Sequence, residues 1–128
     1  MDGRTKLLYT HAVVFFHGGR LEEFSELGKR LLEQEQVYLG PMAALELQYL
    51  YEIERIRYPA KRIMDDLYLE IGLRILERDW MSVIRKSWDL DWTRDPFDRL
   101  IAAQALIEGQ RLLTRDGQLL AECPVVCW

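Results

Sequence analysis

WTRDPFDRLIAAQALIEGQRLLTRD, residues 92–116, reads as a helix that leads directly into a strand. Asp95-Pro96-Phe97-Asp98 has the form of a helix start: Asp as N-cap, Pro at the first helical position, an acid at the third. Gly109 is a natural C-terminal stop. The short apolar segment RLLTR (111–115) then predicts a strand, with Asp116 directly behind it. Ile101, Ala102 and Ala105 share a helical face with Asp98, a small-residue face suited to close packing on a sheet.

The rest of the chain repeats this alternation. LLY (7–9) fits a buried strand, QVYLG (36–40) a strand ending in a Gly-Pro break, YLEIGLRI (68–75) a third strand and PVVCW (124–128) a last one, with Trp128 and the Cys127 strand packing as an edge of the core. Between them, Leu21, Phe24, Leu27 and Leu31 recur at helical spacing, predicting one amphipathic surface helix over 20–34. Residues 42–57 read as a helix ended by Tyr58-Pro59, a further helix runs from near Pro59 toward Leu67, and 81–88 is helical. HAVVFFHGG (11–19) is open to two readings: a continuation of the first strand, or a short helix stopped by Gly18-Gly19. Strands alternating with helices at these lengths argue an α/β fold with a parallel sheet.

The chain has 128 residues, which suits a single domain over 1–128. With 49% hydrophobic and 30% charged residues it belongs to the globular class, not the disordered one. No apolar run is long enough to span a bilayer, and no leader of secretory type opens the chain, so a cytoplasmic protein is expected. A net charge of −4 excludes the simple argument for nucleic-acid binding from a basic surface. Cys123 and Cys127 have no His or Cys near them in sequence, which argues against zinc and for reduced core thiols.

Three carboxylates stand in apolar settings. On its helix Glu46 neighbours Met42, Ala43, Tyr49, Leu50 and Ile53, a largely apolar face where an unpaired charge costs several kcal/mol. Asp98 faces small residues. Asp116 and Tyr9 each follow a strand, and parallel α/β sheets keep their sites outside the carboxyl ends of strands. Each residue also has a plainer reading: Asp98 completing a capping box with Asp95, Asp116-Gly117 as a turn, Glu46 paired with an arginine. Arg94, Arg99, Arg111 and Arg115 are available as such partners or as phosphate contacts. His11 and His17 read as packing or surface groups.

Taken together, WTRDPFDRLIAAQAL with LLTRD, ALELQYLYEI (44–53) and LLYTHAVVFF (7–16) resemble the PIN domain family, in particular the VapC-type nuclease toxins of bacterial toxin–antitoxin pairs. The resemblance covers nearly the whole chain. It implies a three-layer α/β/α sandwich on a parallel sheet of about five strands, and favours the short helix for 11–19. It implies cleavage of single-stranded RNA with Mg²⁺ or Mn²⁺, frequent homodimers, and an antitoxin protein that blocks the site.

Carried over by position, the implied metal-binding and catalytic acids are Glu46, Asp98 and Asp116, with Thr114 as an accompanying hydroxyl. Asp95 belongs to the Arg-Asp-Pro-Phe-Asp-Arg signature of a subgroup, and its expected role here is the helix cap. Arg94, Arg99 and Arg115 are the implied phosphate contacts. Clustered carboxylates suit hard cations that prefer oxygen ligands, and the cation relieves their mutual repulsion. Tyr9 stands where the family has its first Asp. A phenol ordinarily titrates at about pH 10, so it stays protonated near neutrality and brings no charge. Weak Mn²⁺ binding and slow or absent RNA cleavage are therefore expected. The alternative is an inactive PIN-like module that binds RNA or a partner protein.

Overall fold

A computed structural model describes residues 6–8, 10–34, 36–109, 111–113, 121 and 126–127. Tyr9, Thr114, Arg115, Asp116, Cys123 and Trp128 lie outside the described residues, as does the side chain of Cys127.

Five strands are described: β1 (Lys6–Leu8), β2 (Val37–Leu39), β3 (Arg74–Ile75), β4 (Arg111–Leu113) and β5 (Val126–Cys127). All their pairings are parallel, in the order β3-β2-β1-β4-β5. β5 is thus an edge strand, where PVVCW was expected. Parallel strands need helical crossovers, and α1 (Thr10–His17), α2 (Glu26–Gln34), α3 (Pro41–Glu52), α4 (Ala60–Ile71), α5 (Trp80–Ser87) and α6 (Pro96–Glu108) supply them. The result is the three-layer α/β/α sandwich. Leu39 of β2 and Leu112 and Leu113 of β4 are almost fully buried, as are Leu47, Ile63 and Leu67 of α3 and α4. Each such side chain contributes about 1.5–3 kcal/mol of transfer free energy. No helix among the described residues is long and apolar enough to cross a membrane.

The strand order places a topological switch at the centre. From β1 the chain moves to β2 and β3 on one side, then returns to β4 and β5 on the other. Leu8 and Leu113, the last residues of β1 and β4, are register partners. Ligands of open α/β sheets bind beyond such a pair of strand ends.

Three boundaries differ from the sequence reading. Residues 20–34 are not one helix. A 3₁₀ turn (Leu21–Glu23) ends at an extended Phe24, and α2 restarts behind Ser25, whose Oγ accepts the Gly28 N–H at 3.1 Å. The restart rotates the buried stripe to Phe24, Gly28 and Leu32 and leaves Leu21 and Leu27 exposed.

α3 stops at Glu52 instead of reaching Arg57, because Glu54 turns left-handed (φ 60°). Its N–H and that of Arg55 close back on the carbonyls of Tyr51 and Leu50, a Schellman end. Segment 68–75 is mostly helix. α4 runs through Ile71 to a left-handed Gly72 (φ 71°), and only Arg74–Ile75 pair as a strand. HAVVFFHGG is helical up to His17.

Candidate functional site

Thr10 opens α1 immediately beyond β1 and is fully buried. A buried hydroxyl needs a partner. Thr10 Oγ1 donates to Glu46 Oε1 at 2.6 Å. Glu46 is thereby fixed at the carboxyl end of the central strand although it lies 36 residues away in sequence. The apolar face expected around Glu46 is only partly inward. Ala43 and Leu47 are buried, Met42 and Leu50 are half-buried, and Tyr49 and Ile53 are exposed.

Asp98 lies in the first turn of α6 and is half-buried. Asp95 caps that helix: its Oδ1 accepts the N–H groups of Phe97 at 2.8 Å and Asp98 at 3.3 Å. In a capping box the Asp98 carboxylate would reach back to the Asp95 N–H. That N–H donates to Thr93 Oγ1 at 3.1 Å instead, so the capping-box reading loses its reciprocal half. The ring of Tyr49, one turn beyond Glu46, stacks on Phe97 with centroids 5.7 Å apart. This contact joins the helix carrying Glu46 to the turn carrying Asp98.

The arginines of the signature have backbone partners. Arg99 donates through Nε and a terminal nitrogen to the Ser87 carbonyl (3.2 and 2.9 Å), joining the end of α5 to α6. Exposed Arg94 donates to the Asp91 carbonyl at 3.0 Å. Tyr9, Thr114, Arg115 and Asp116, outside the described residues, follow in sequence directly from the β1 and β4 ends. His17, as expected, is a packing group. Its Nε2 lies 2.7 Å from Asp66 Oδ2, and its ring meets Tyr58 edge-on. That hydrogen bond, helped by Arg62, holds the Asp66 carboxyl below its ordinary pKa against the opposing effect of burial.

Thr10 is the site residue that the sequence reading passed over. The signal was a lone hydroxyl at the junction of an apolar strand and helix, where burial demands a hydrogen-bond partner. Glu46 and Asp98 carry carboxylate oxygens, the donor type that Mg²⁺ and Mn²⁺ prefer, and Thr10 holds one of them. No group of three His, Cys, Asp or Glu gathers among the described residues.

Known proteins bear on the same geometry. A toxin–antitoxin complex from Klebsiella pneumoniae contains a chain similar to this one, with TM-score 0.61 and 18% identity over 96% of each chain. VapBC2 from Rickettsia felis bound to a promoter DNA fragment gives TM-score 0.66 and 17% identity over 95% of each chain. DNA-bound VapBC from Salmonella typhimurium gives 0.65 and 17%, over 95% of this chain and 94% of the other. At such identities the likeness shows the fold alone. No curated protein matches. The sequence family described as PIN domain matches residues 7–122, and the chain belongs to that family.

Proposed function

We propose that this chain, a single PIN-like domain, is a metal-dependent endonuclease scaffold for single-stranded RNA, of toxin–antitoxin type, weakened by Tyr9. The observation that carries the reading is the Thr10–Glu46 hydrogen bond, which fixes an acid at the switch point of the sheet. Glu46, Asp98 and Asp116 are the metal-binding and catalytic acids, with Thr114 accessory to them. Tyr9 takes the place of the missing acid, so Mg²⁺ or Mn²⁺ binds weakly. When bound, the cation would activate water and stabilise charge on the phosphate undergoing attack.

The protein's own contribution is orientation. Thr10 holds one oxygen of Glu46. Asp95 pins the amide of Asp98 and so sets the turn from which that acid projects. Arg94, Arg99 and Arg115 are proposed as phosphate contacts; for Arg99 this means leaving or sharing the Ser87 carbonyl. The structural likeness to toxin–antitoxin complexes supports an antitoxin partner, whose arginine would suit an acidic pocket. A cytoplasmic homodimer completes the proposal. A second reading, an inactive module binding RNA or a partner protein, is favoured by one feature: the neutral Tyr9 next in sequence to Thr10.

An RNA cleavage assay with Mn²⁺ tests this on wild type, Tyr9→Asp, and Tyr9→Asp with Asp98→Asn. Tyr9→Asp is expected to cut at least about tenfold faster than wild type, about 1.4 kcal/mol in the barrier, and the double variant not at all. Equal cutting by wild type and Tyr9→Asp would remove the weakening from the proposal. Cleavage by none of them, with RNA still bound, would favour the second reading.

A further inference from the structure

Tyr49 of α3 and Phe97 of α6 stack beside the two acids, with ring centroids 5.7 Å apart and ring planes inclined by 29°. We infer that this pair is a stacking platform for an unpaired base of the RNA strand and makes the protein selective for single strands; the inference rests on the RNA reading above.

Position ties the platform to both acids. Tyr49 follows Glu46 by three residues on α3, and such neighbours on a helix surface keep their Cβ atoms about 5–6 Å apart. Phe97 directly precedes Asp98 in the first turn of α6. A strand whose phosphate reached those acids would carry an adjoining base past the rings.

Exposure singles out Tyr49 as the receiving ring. Phe97 is half-buried and supports it from one side. Tyr49 is 46% exposed, so the stack leaves much of its ring open to solvent. A ring already held by another has less freedom left to lose, and a base landing on it costs less ordering.

The chemistry selects an unpaired base. Bases inside a duplex are already stacked on their neighbours, whereas a single strand can splay a base onto an aromatic side chain. Such stacking tolerates any sequence, because every base has a π-face. Leu45 and Ile53, both exposed, stand four residues to either side of Tyr49 and give the ring apolar flanks. Those flanks suit a neutral base and not a phosphate. Phosphate has a partner close by: exposed Arg94, three residues before Phe97, spends Nη1 on the Asp91 carbonyl and keeps further N–H donors.

The test compares a labelled single-stranded oligoadenylate with the same strand annealed to its complement. Both are mixed with the protein and Mg²⁺, and binding is read at once by fluorescence anisotropy. The duplex is expected to bind at least about tenfold more weakly than the single strand. Tyr49→Leu, which keeps an apolar side chain at an exposed position, should weaken single-strand binding about tenfold. Tyr49→Phe keeps the ring and should bind like wild type. In NMR spectra of wild type, the Tyr49 ring protons should move upfield as the single strand is added.

A merely structural ring gives another pattern: Tyr49→Leu lowers thermal stability and leaves RNA affinity alone. That result, or equal binding of duplex and single strand, would overturn the platform. Loss of a protein oligomer in Tyr49→Leu, seen by gel filtration with RNA affinity intact, would assign the ring to a protein interface instead. Should Tyr49→Leu fail to fold, the ring-proton shift and the duplex comparison still decide. RNA binding or cleavage indifferent to Tyr49 would sink the platform and leave the RNA reading. Failure of wild type and Tyr9→Asp alike to bind or cut any RNA would sink both.

Discussion

Helices α3 and α6 each carry one acid of the candidate site, but their ends use different residues. α6 begins on the Asp95 cap, with Pro96 in first place, and ends on a left-handed Gly109 (φ 63°). Each end satisfies its backbone with the residue type that local chemistry prefers. α3 shares the leading proline, Pro41, but its N-cap Gly40 offers no side-chain cap, and it ends with Glu54 in a left-handed conformation that suits glycine. What α3 lacks locally comes from its neighbours. Gly40 lies against Gln104 of α6, Tyr49 stacks on Phe97, and the Gln48 side chain accepts the Ala60 N–H at 3.2 Å, tying α3 to the start of α4. Glu46 is therefore held by tertiary contact, while the turn bearing Asp98 is held by its own sequence.

The comparison breaks or stands first at Gly40. Its backbone is ordinary (φ −77°, ψ 158°), so alanine is not excluded by conformation. The obstacle is contact: a Cβ there would meet Gln104 Oε1 at 2.4 Å. That amide is buried and tied to Leu76, so it cannot simply swing aside. Gly40→Ala should destabilise the protein by about 1–3 kcal/mol, the usual cost of overpacking. In urea denaturation, Gly40→Ala combined with Gln104→Ala should cost less than the sum of the two single changes. Strict additivity would mean that α3 does not depend on this approach.

The same contrast shows why some of the molecule was legible in sequence and some was not. α6 matches its expected bounds because cap, proline and glycine all agree with the apolar pattern. The parallel sheet and the helix over Thr10–His17 were likewise anticipated. The errors fall where one signal competed with another. Leu21, Phe24 and Leu27 kept helical spacing across a break made by Ser25, because periodicity does not register a cap inside it. Tyr58-Pro59 looked like the end of α3, yet the chain turns five residues earlier at a non-glycine. Tyr68 to Ile71 are β-compatible residues that stay helical until Gly72. At the site, Glu46 and Asp98 were visible as acids in apolar settings, whereas the hydrogen bond from Thr10 spans 36 residues. A buried hydroxyl advertises a need for a partner, never which partner.

A middle-sized effect belongs to Asp95. Asp95→Ala removes the acceptor of the Phe97 and Asp98 N–H groups. Loss of such a cap costs about 1 kcal/mol, within a range of 0.5–2. Thermal unfolding should register that loss. Amide exchange should quicken at Phe97 and Asp98 and leave the centre of α6 protected. If exchange quickened along the whole helix, α6 would be no more locally determined than α3.

The smallest effect, with the opposite sign, is expected at Glu54. A residue with a Cβ in the left-handed region carries about 1–2 kcal/mol of strain that glycine avoids. Glycine in turn loses about 0.5–1 kcal/mol more conformational entropy on folding. Glu54→Gly should therefore stabilise the protein by roughly 0.5 kcal/mol, the difference between those terms. Glu54 is exposed, so no packing is lost with its side chain. Glu54→Ala is the control: it removes the same charge, keeps the strain and should leave stability nearly unchanged. A gain shared by both variants would trace to the carboxylate, and the end of α3 would then be unstrained. A gain confined to glycine would identify Glu54 as a local defect in a helix that its neighbours hold in register.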